Sequence, residues 1–274
     1  MTDDLLAPLT ASDVNDIPYV ELLAYLGESN RPPGGNDTIR RLLVDCHMRP
    51  GLRVLHAGCN AGFLSRELGR RSGAQVLGID ISANMVHSAN RRAKLEGLAD
   101  RVRHEHRDMR RTELPAESFD IVVSGGALAF VDGQREAVNE WIRLTKGHGL
   151  IGDAELYYRD QPSDALRARV SEAIGVVVPC YDRSHWDYVF GSEFLEPYHI
   201  VDRPASTRTD AEISRYCENM VRWRASGWDG AAQRALFERL VYLFRLFNEN
   251  LSHMDYTVRI YRRLRPHDEP ALFI

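Results

Sequence analysis

Two spacings of apolar residues divide the chain. Short apolar runs predict strands near 52–57, 75–80, 101–106, 119–124 and 148–157. Amphipathic stretches between them predict helices near 61–72, 82–97 and 133–146. Strands that alternate with helices argue for a parallel sheet covered by helices on both faces. Ser82 stands where the second helix needs an N-cap, and Gly147 and Gly149 stand where the third should end. Upstream, residues 1–18, with Pro8 and Pro18, read as an irregular lead-in, and Tyr19 to Leu26 as a short helix. Gly27 to Gly35 reads as a loop, punctuated by Arg31-Pro32-Pro33-Gly34-Gly35. A helix with Asn36 as its N-cap then runs to about Met48, and Pro50-Gly51 turns the chain into the first strand.

The alternation stops after Tyr158. Asp160-Gln161-Pro162-Ser163 opens a helix to about Ile174, and a short helical piece follows from His185 to Leu195. Tyr198 to Asp202 is a candidate strand. Two long helices are predicted near 209–226 and 230–250, separated by Gly227-Trp228-Asp229-Gly230. The alternation of Tyr256, Val258 and Ile260 within Asp255 to Leu264 suits a final strand. The organisation expected is a helical lead-in or lid over 1–35, a ligand-binding core over 36–158, a helical cap with a sixth strand over 159–253, and a last strand and tail over 254–274.

Composition narrows the class. A chain of 274 residues, 44% apolar and 27% charged, suits one large soluble α/β domain with additions. A net charge of −4 argues against nucleic acid as a partner. The four cysteines form no C-x-x-C pair, so reduced thiols in a cytoplasmic protein are expected. Met1-Thr2-Asp3-Asp4 is acidic and lacks a signal pattern, and no apolar run approaches the ~20 residues that span a bilayer, so no membrane partner is expected. A homo-oligomer is compatible with all of this.

The chemistry gathers around Val54-Leu55-His56-Ala57-Gly58-Cys59-Asn60-Ala61-Gly62-Phe63-Leu64, a strand, a glycine turn and the start of a helix. Gly58 and Gly62 remove side chains where the turn is tight, and the helix N-terminus favours a negative group. The next strand, Gln75-Val76-Leu77-Gly78-Ile79-Asp80, ends in an acid placed to accept hydrogen bonds from a ribose. Asn60 and Phe63 stand where a G-x-G-x-x-G fingerprint would need glycine, which discourages a dinucleotide enzyme. The form V-L-x-x-G-x-x-x-G followed by G-I-D resembles the first two motifs of class I S-adenosylmethionine-dependent methyltransferases. Arg107-Asp108-Met109 and Leu114-Pro115-Ala116-Glu117-Ser118-Phe119-Asp120-Ile121-Val122-Val123-Ser124 are similar to the third and fourth.

The resemblance implies a Rossmann-like α/β fold: a seven-stranded, mostly parallel sheet with helices on both faces and a helical cap. It implies S-adenosyl-L-methionine as cofactor and a small-molecule acceptor. Gly58, Cys59, Asn60 and Gly62 would hold the methionine moiety, and Asp80 the ribose. Ile81 and Met85 would pack one adenine face, with Asp108 and Met109 meeting its amine and other face; Ser124 would complete the cofactor site. Ser124-Gly125-Gly126-Ala127 stands where adenine methyltransferases of DNA carry N-P-P-Y or D-P-P-Y. The sequence departs from the family at His56, where an acid is usual near the cofactor's ammonium. Weak catalytic candidates are Glu155, Tyr157 and His56. Phe130, Tyr157, Tyr158 and Trp223 are candidates for the substrate wall. His104-Glu105-His106 offers two imidazoles on one strand face but no third ligand, so no metal is expected and these are read as surface residues. Two alternatives remain: a non-methylating cyclase that expels methylthioadenosine, similar to azetidine carboxylate synthase, and a non-catalytic binding protein.

Overall fold

The computed structural model describes residues 8–26 and 31–265; the expectations made for residues 1–7, 27–30 and 266–274 lie outside the described residues. In chain order the elements are α1 (Ala11–Asp16), α2 (Tyr19–Leu26), α3 (Asn36–Asp45), β1 (Arg53–Ala57), α4 (Phe63–Ser72), β2 (Gln75–Asp80) and α5 (Ala83–Leu95). They continue with β3 (Val102–His106), β4 (Phe119–Ser124), a 3-10 turn (Leu128–Phe130), α6 (Gln134–Leu144), β5 (Thr145–Tyr158) and α7 (Asp164–Ile174). The last are α8 (Arg183–Val189), β6 (Leu195–Pro204), α9 (Asp210–Arg224), α10 (Gly230–Leu251) and β7 (Met254–Arg263).

The seven strands form one sheet in the order β3-β2-β1-β4-β5-β7-β6. Pairings among β1 to β5 are parallel, and β6 runs antiparallel to β7, as the mostly parallel sheet was expected to be. Leu55 registers with Leu77 and Val122, and Val54 with Val76 and Ile121. Because strand side chains alternate, these rows feed opposite faces. Leu55, Leu77 and Val122 pack with Trp141 of α6 and with Trp186 and Val189 of α8. Val54, Val76 and Ile121 pack with Ile39 and Leu42 of α3 and with Leu64 and Leu68 of α4. Each such aliphatic side chain contributes about 1.5–3 kcal/mol by leaving water. The sheet is wound in two directions from β1, toward β2 on one side and β4 on the other. That reversal opens a crevice outside the carboxyl ends of β1 and β4.

The chain divides into two compact units. Of the described residues, the larger gathers 31–157, Tyr181–Pro204 and 255–265, and holds the crevice at the carboxyl ends of β1 and β4. The smaller is helical: α1 and α2, Tyr158–Cys180 and Ala205–Met254. Its core joins Val14, Leu22 and Leu26 to Ile213, Cys217, Leu236 and Leu240, while Leu166 and Val170 of α7 meet Leu246 of α10.

Several boundaries differ from expectation. The lead-in contains α1, started by a capping box in which Thr10 and Asp13 exchange hydrogen bonds. Gly35, not Asn36, is the residue before α3. α6 ends on Thr145, already extended, so Gly147 and Gly149 lie within β5 rather than after a helix. A Cβ on Gly149 would sit 2.6 Å from the Asp120 carbonyl, so glycine there serves close backbone approach between strands. α8 stops at Val189, and Leu195 begins β6 instead of ending a helix.

Candidate active site

β1 ends at Ala57, and the chain reaches α4 through Gly58-Cys59-Asn60-Ala61-Gly62. Gly58 has φ +72°, and a Cβ there would lie 2.2 Å from the Ala127 Cβ. Asn60 also has a positive φ of 47°, and its Oδ1 accepts the Ala61 N–H at 2.6 Å. At the end of β2, one Asp80 oxygen accepts the Asn60 N–H at 2.7 Å and the other accepts the Ser82 N–H at 2.9 Å. Each oxygen keeps further lone-pair capacity, so Asp80 can brace this loop and still accept ligand hydroxyls. The cap of α5 is Ser82, whose Oγ accepts the Met85 N–H, as expected.

Behind the loop lie two imidazoles. His56 is buried, and its Nδ1 is 2.7 Å from Ser65 Oγ on α4. Burial, with His104 nearby, lowers its pKa to about 3, so it is neutral at ordinary pH. His104 is buried too, against the surface reading; its Nδ1 meets Asn90 Oδ1, and burial lowers its pKa to about 4. The surface reading failed because α5 covers β3 on this face, and Asn90 binds the His104 backbone at both its N–H and C=O. A Cβ on Gly62 would lie 2.6 Å from His104 Nε2. Among the described residues, no three His, Cys, Asp or Glu side chains are grouped to hold a metal ion.

A cavity of about 390 Å³ opens at this end of the sheet, within the usual range for small-ligand pockets. It brings together His56, Gly58, Cys59, Asn60, Asp80, Ile81, Asp108, Met109 and Phe130 from among the sequence candidates. Asp108 is held by Arg110 through paired contacts of 3.0 and 2.6 Å, and that guanidinium holds its carboxyl below the usual range. Ile81 and Phe130 are largely exposed there. Gly62, Met85 and Ser124 do not line the cavity: Gly62 precedes α4, Met85 is buried in α5, and Ser124 is buried at the end of β4. Pro32, Leu64, Arg107, Arg110, Ala127, Val131 and Asp132 line it as well. Of these, Pro32, Leu64, Arg107 and Ala127 stand in stretches that the sequence singled out, whereas Arg110, Val131 and Asp132 carried no sequence signal.

Other candidates fall elsewhere. Glu155 is 1% exposed and accepts the Leu128 N–H at 2.9 Å, so a role at the reacting atoms does not fit its position. Tyr157 is packed among the core residues of the sheet. Tyr158 and Trp223 belong to the helical unit; Tyr158 donates to Asn250 Oδ1 at 2.9 Å, and Trp223 is 68% exposed on α9.

A doubly wound sheet with a glycine loop and a strand-end acid at its switch point defines a nucleotide-binding α/β domain. Residues 54–149 match the family described as methyltransferase domain. A 27-O-demethylrifamycin SV methyltransferase of Amycolatopsis mediterranei is 26% identical over 214 residues, 75% of each chain. A sterol 24-C-methyltransferase of Gibberella zeae is 31% identical over 113 residues, 41% of this chain and 30% of that one, so the match spans under a third of that relative. The crystal structure of MccD protein superposes with a TM-score of 0.72 at 25% identity, covering 86% of this chain and 100% of that one. Residues 54–149 are thus a methyltransferase domain of the class I, S-adenosylmethionine-dependent kind.

Proposed function

We propose that this chain is an S-adenosylmethionine-dependent methyltransferase acting on a small-molecule, natural-product-like acceptor. The observation that carries the reading is the convergence of His56, Gly58, Asn60, Asp80, Ile81, Asp108 and Met109, from three separate motifs, on one cavity. S-adenosylmethionine supplies a methyl group already activated on a sulfonium. Asp80 would accept the ribose hydroxyls. The bare backbone of Gly58 would let the methionine moiety approach, and Ile81 and Met109 would give the adenine apolar faces. Met85 and Ser124 would support the loop from behind, and Phe130 would face the acceptor. With His56 neutral and Glu155 engaged by backbone, catalysis rests on alignment and water exclusion, worth ~7–11 kcal/mol in favourable cases. The free thiols of Cys46, Cys59, Cys180 and Cys217 suit the reducing cytoplasm; among the described residues no helix is long and apolar enough to cross a membrane.

The neutral His56, standing where the methyltransferase resemblance would place an acid, favours one rival. If the cofactor's own amine were the nucleophile, an imidazole would not hold it protonated as a carboxylate does. Incubating purified protein with the cofactor and separating the nucleosides decides between the readings. S-adenosylhomocysteine should form only when an acceptor is present. Methylthioadenosine accumulating above the spontaneous background without an acceptor would replace transfer by cyclisation.

A further inference from the structure

The wall of the cavity between Gly125 and Asp132 contains a single turn of 3-10 helix, Leu128–Phe130. Its N-cap, Ala127, has no side chain able to accept a hydrogen bond. The Leu128 N–H instead donates to Glu155 Oε1 on β5 at 2.9 Å. The Leu128 carbonyl accepts Gln134 Nε2 at 3.1 Å, and Gln134 Oε1 lies 2.6 Å from His185 Nε2 on α8. His185 is stacked on Tyr181 with ring centroids 3.7 Å apart and planes 1° from parallel. One fully buried residue is therefore gripped at both its backbone groups by side chains from other elements. Gly125, Gly126 and Ala127 on one side of it, and Phe130, Val131 and Asp132 on the other, line the cavity. A shift of Leu128 would move that whole wall.

Glu155 does not stand alone. Asp153 shares its face of β5, and Arg259 lies on the neighbouring β7; both are 0% exposed. Neither the Asp153 carboxyl oxygens nor the Arg259 guanidinium nitrogens have hydrogen-bond partners among the described residues. Arg259 meets the Asp187 carboxylate of α8 only at 3.7 Å. Burial and the neighbouring Asp153 raise the Glu155 pKa well above the ordinary carboxylate range. An acid at this depth carries a desolvation cost that an apolar residue of similar volume would avoid. What it supplies, and an apolar residue cannot, is an acceptor for the Leu128 N–H.

We infer that Glu155 is a positioning residue: with the Gln134–His185 pair it clamps Leu128 and so fixes the cavity wall that the cofactor and acceptor meet. The inference rests on the methyltransferase reading for what binds there, but not for the clamp itself. Glu155→Leu removes the acceptor at nearly constant volume, Glu155→Gln keeps an oxygen in reach, and Gln134→Leu cuts the opposite grip. Hydrogen exchange of the amides over 127–131, measured by mass spectrometry on the protein alone, reads the clamp directly. Titration with S-adenosylhomocysteine reads its consequence. Glu155→Leu should speed that exchange and weaken binding, each about tenfold or more, as expected when a buried N–H loses its partner. Glu155→Gln should restore most of both, and Gln134→Leu should speed the same amides. If Glu155→Leu fails to fold, Gln134→Leu and Glu155→Gln decide the matter. Unchanged exchange in Gln134→Leu, or Glu155→Gln as damaging as Glu155→Leu, would overturn the clamp. Failure of the wild type to bind S-adenosylhomocysteine would overturn the functional reading instead, while the exchange data still judged the clamp.

Discussion

At the end of β2 the Asp80 carboxylate accepts the N–H groups of Asn60 and Ser82, so it braces the glycine loop from below. From the sequence Asp80 reads as a ribose acceptor or as a strand-end acid capping the next helix; its hold on the Asn60 N–H belongs to the folded turn, in which Asn60 has a positive φ. Asp80→Ala should therefore weaken S-adenosylhomocysteine by ~2–4 kcal/mol, about 30- to 1000-fold in Kd, because it removes a charged acceptor and frees the loop together. Calorimetric titration measures this, and affinity within about twofold of wild type would remove Asp80 from the site. His56 shows the opposite limit of legibility. Its departure from the family's acid was readable, yet its neutrality follows from burial against α4 and β3, which the residue alone does not announce.

Among the elements, α1 is the clearest case of structure made by contact. Six residues cannot sustain an isolated helix in water. Besides its capping box, α1 is anchored by Arg239 of α10, which donates to the carbonyl of Val14 and, at 2.6 Å, to that of Ile17. A cation at the last turn of a helix satisfies carbonyls that lack partners and complements the dipole. Val14 completes the attachment by packing with Leu236 and Leu240. Arg239→Ala should leave α10 intact, speed hydrogen exchange over 11–17, and lower stability by ~1–3 kcal/mol. Equal exchange in the two proteins would show that apolar packing alone holds α1. Strands β1, β2 and β4 needed no such remote help to be recognised, since their apolar runs are local.

For the whole molecule, buried titratable groups set the pH response. His56 and His104 stay neutral in the fold down to about 3 and 4, whereas in the unfolded chain they take up protons below ~6.5. The unfolded state then binds more protons, so stability falls as pH drops through that window. Asp153 acts with the reverse sign. Burial raises its pKa to about 7, so the fold keeps a proton that the unfolded chain loses above ~3.9, and stability falls as pH rises from there to about 7, where the loss is complete. Glu155 is shifted the same way. Between pH 4 and 6.5 the histidines and carboxyls oppose one another; above 6.5 only the carboxyls remain. Urea midpoints should therefore decline from about pH 6.5 until Asp153 has lost its native proton just above pH 7, and Asp153→Asn should flatten that decline. Identical pH profiles for the two proteins would dismiss the buried cluster as its source.

Neighbouring residues, through period and spacing, were enough to place the alternating strands and helices over 36–158, the glycine loop, Asp80 and the resemblance to methyltransferases. Tertiary structure alone decided which of the candidates meet. It gathered Arg110 and Asp132 beside Asp108, buried His104 beneath α5, and placed the Glu155 carboxyl where it accepts the Leu128 N–H. Those outcomes depend on pairing β5 with β4 and β7, and on laying α5 and α8 against the sheet. Such contacts join residues far apart in the chain, and burial there changes what a carboxyl or an imidazole can do.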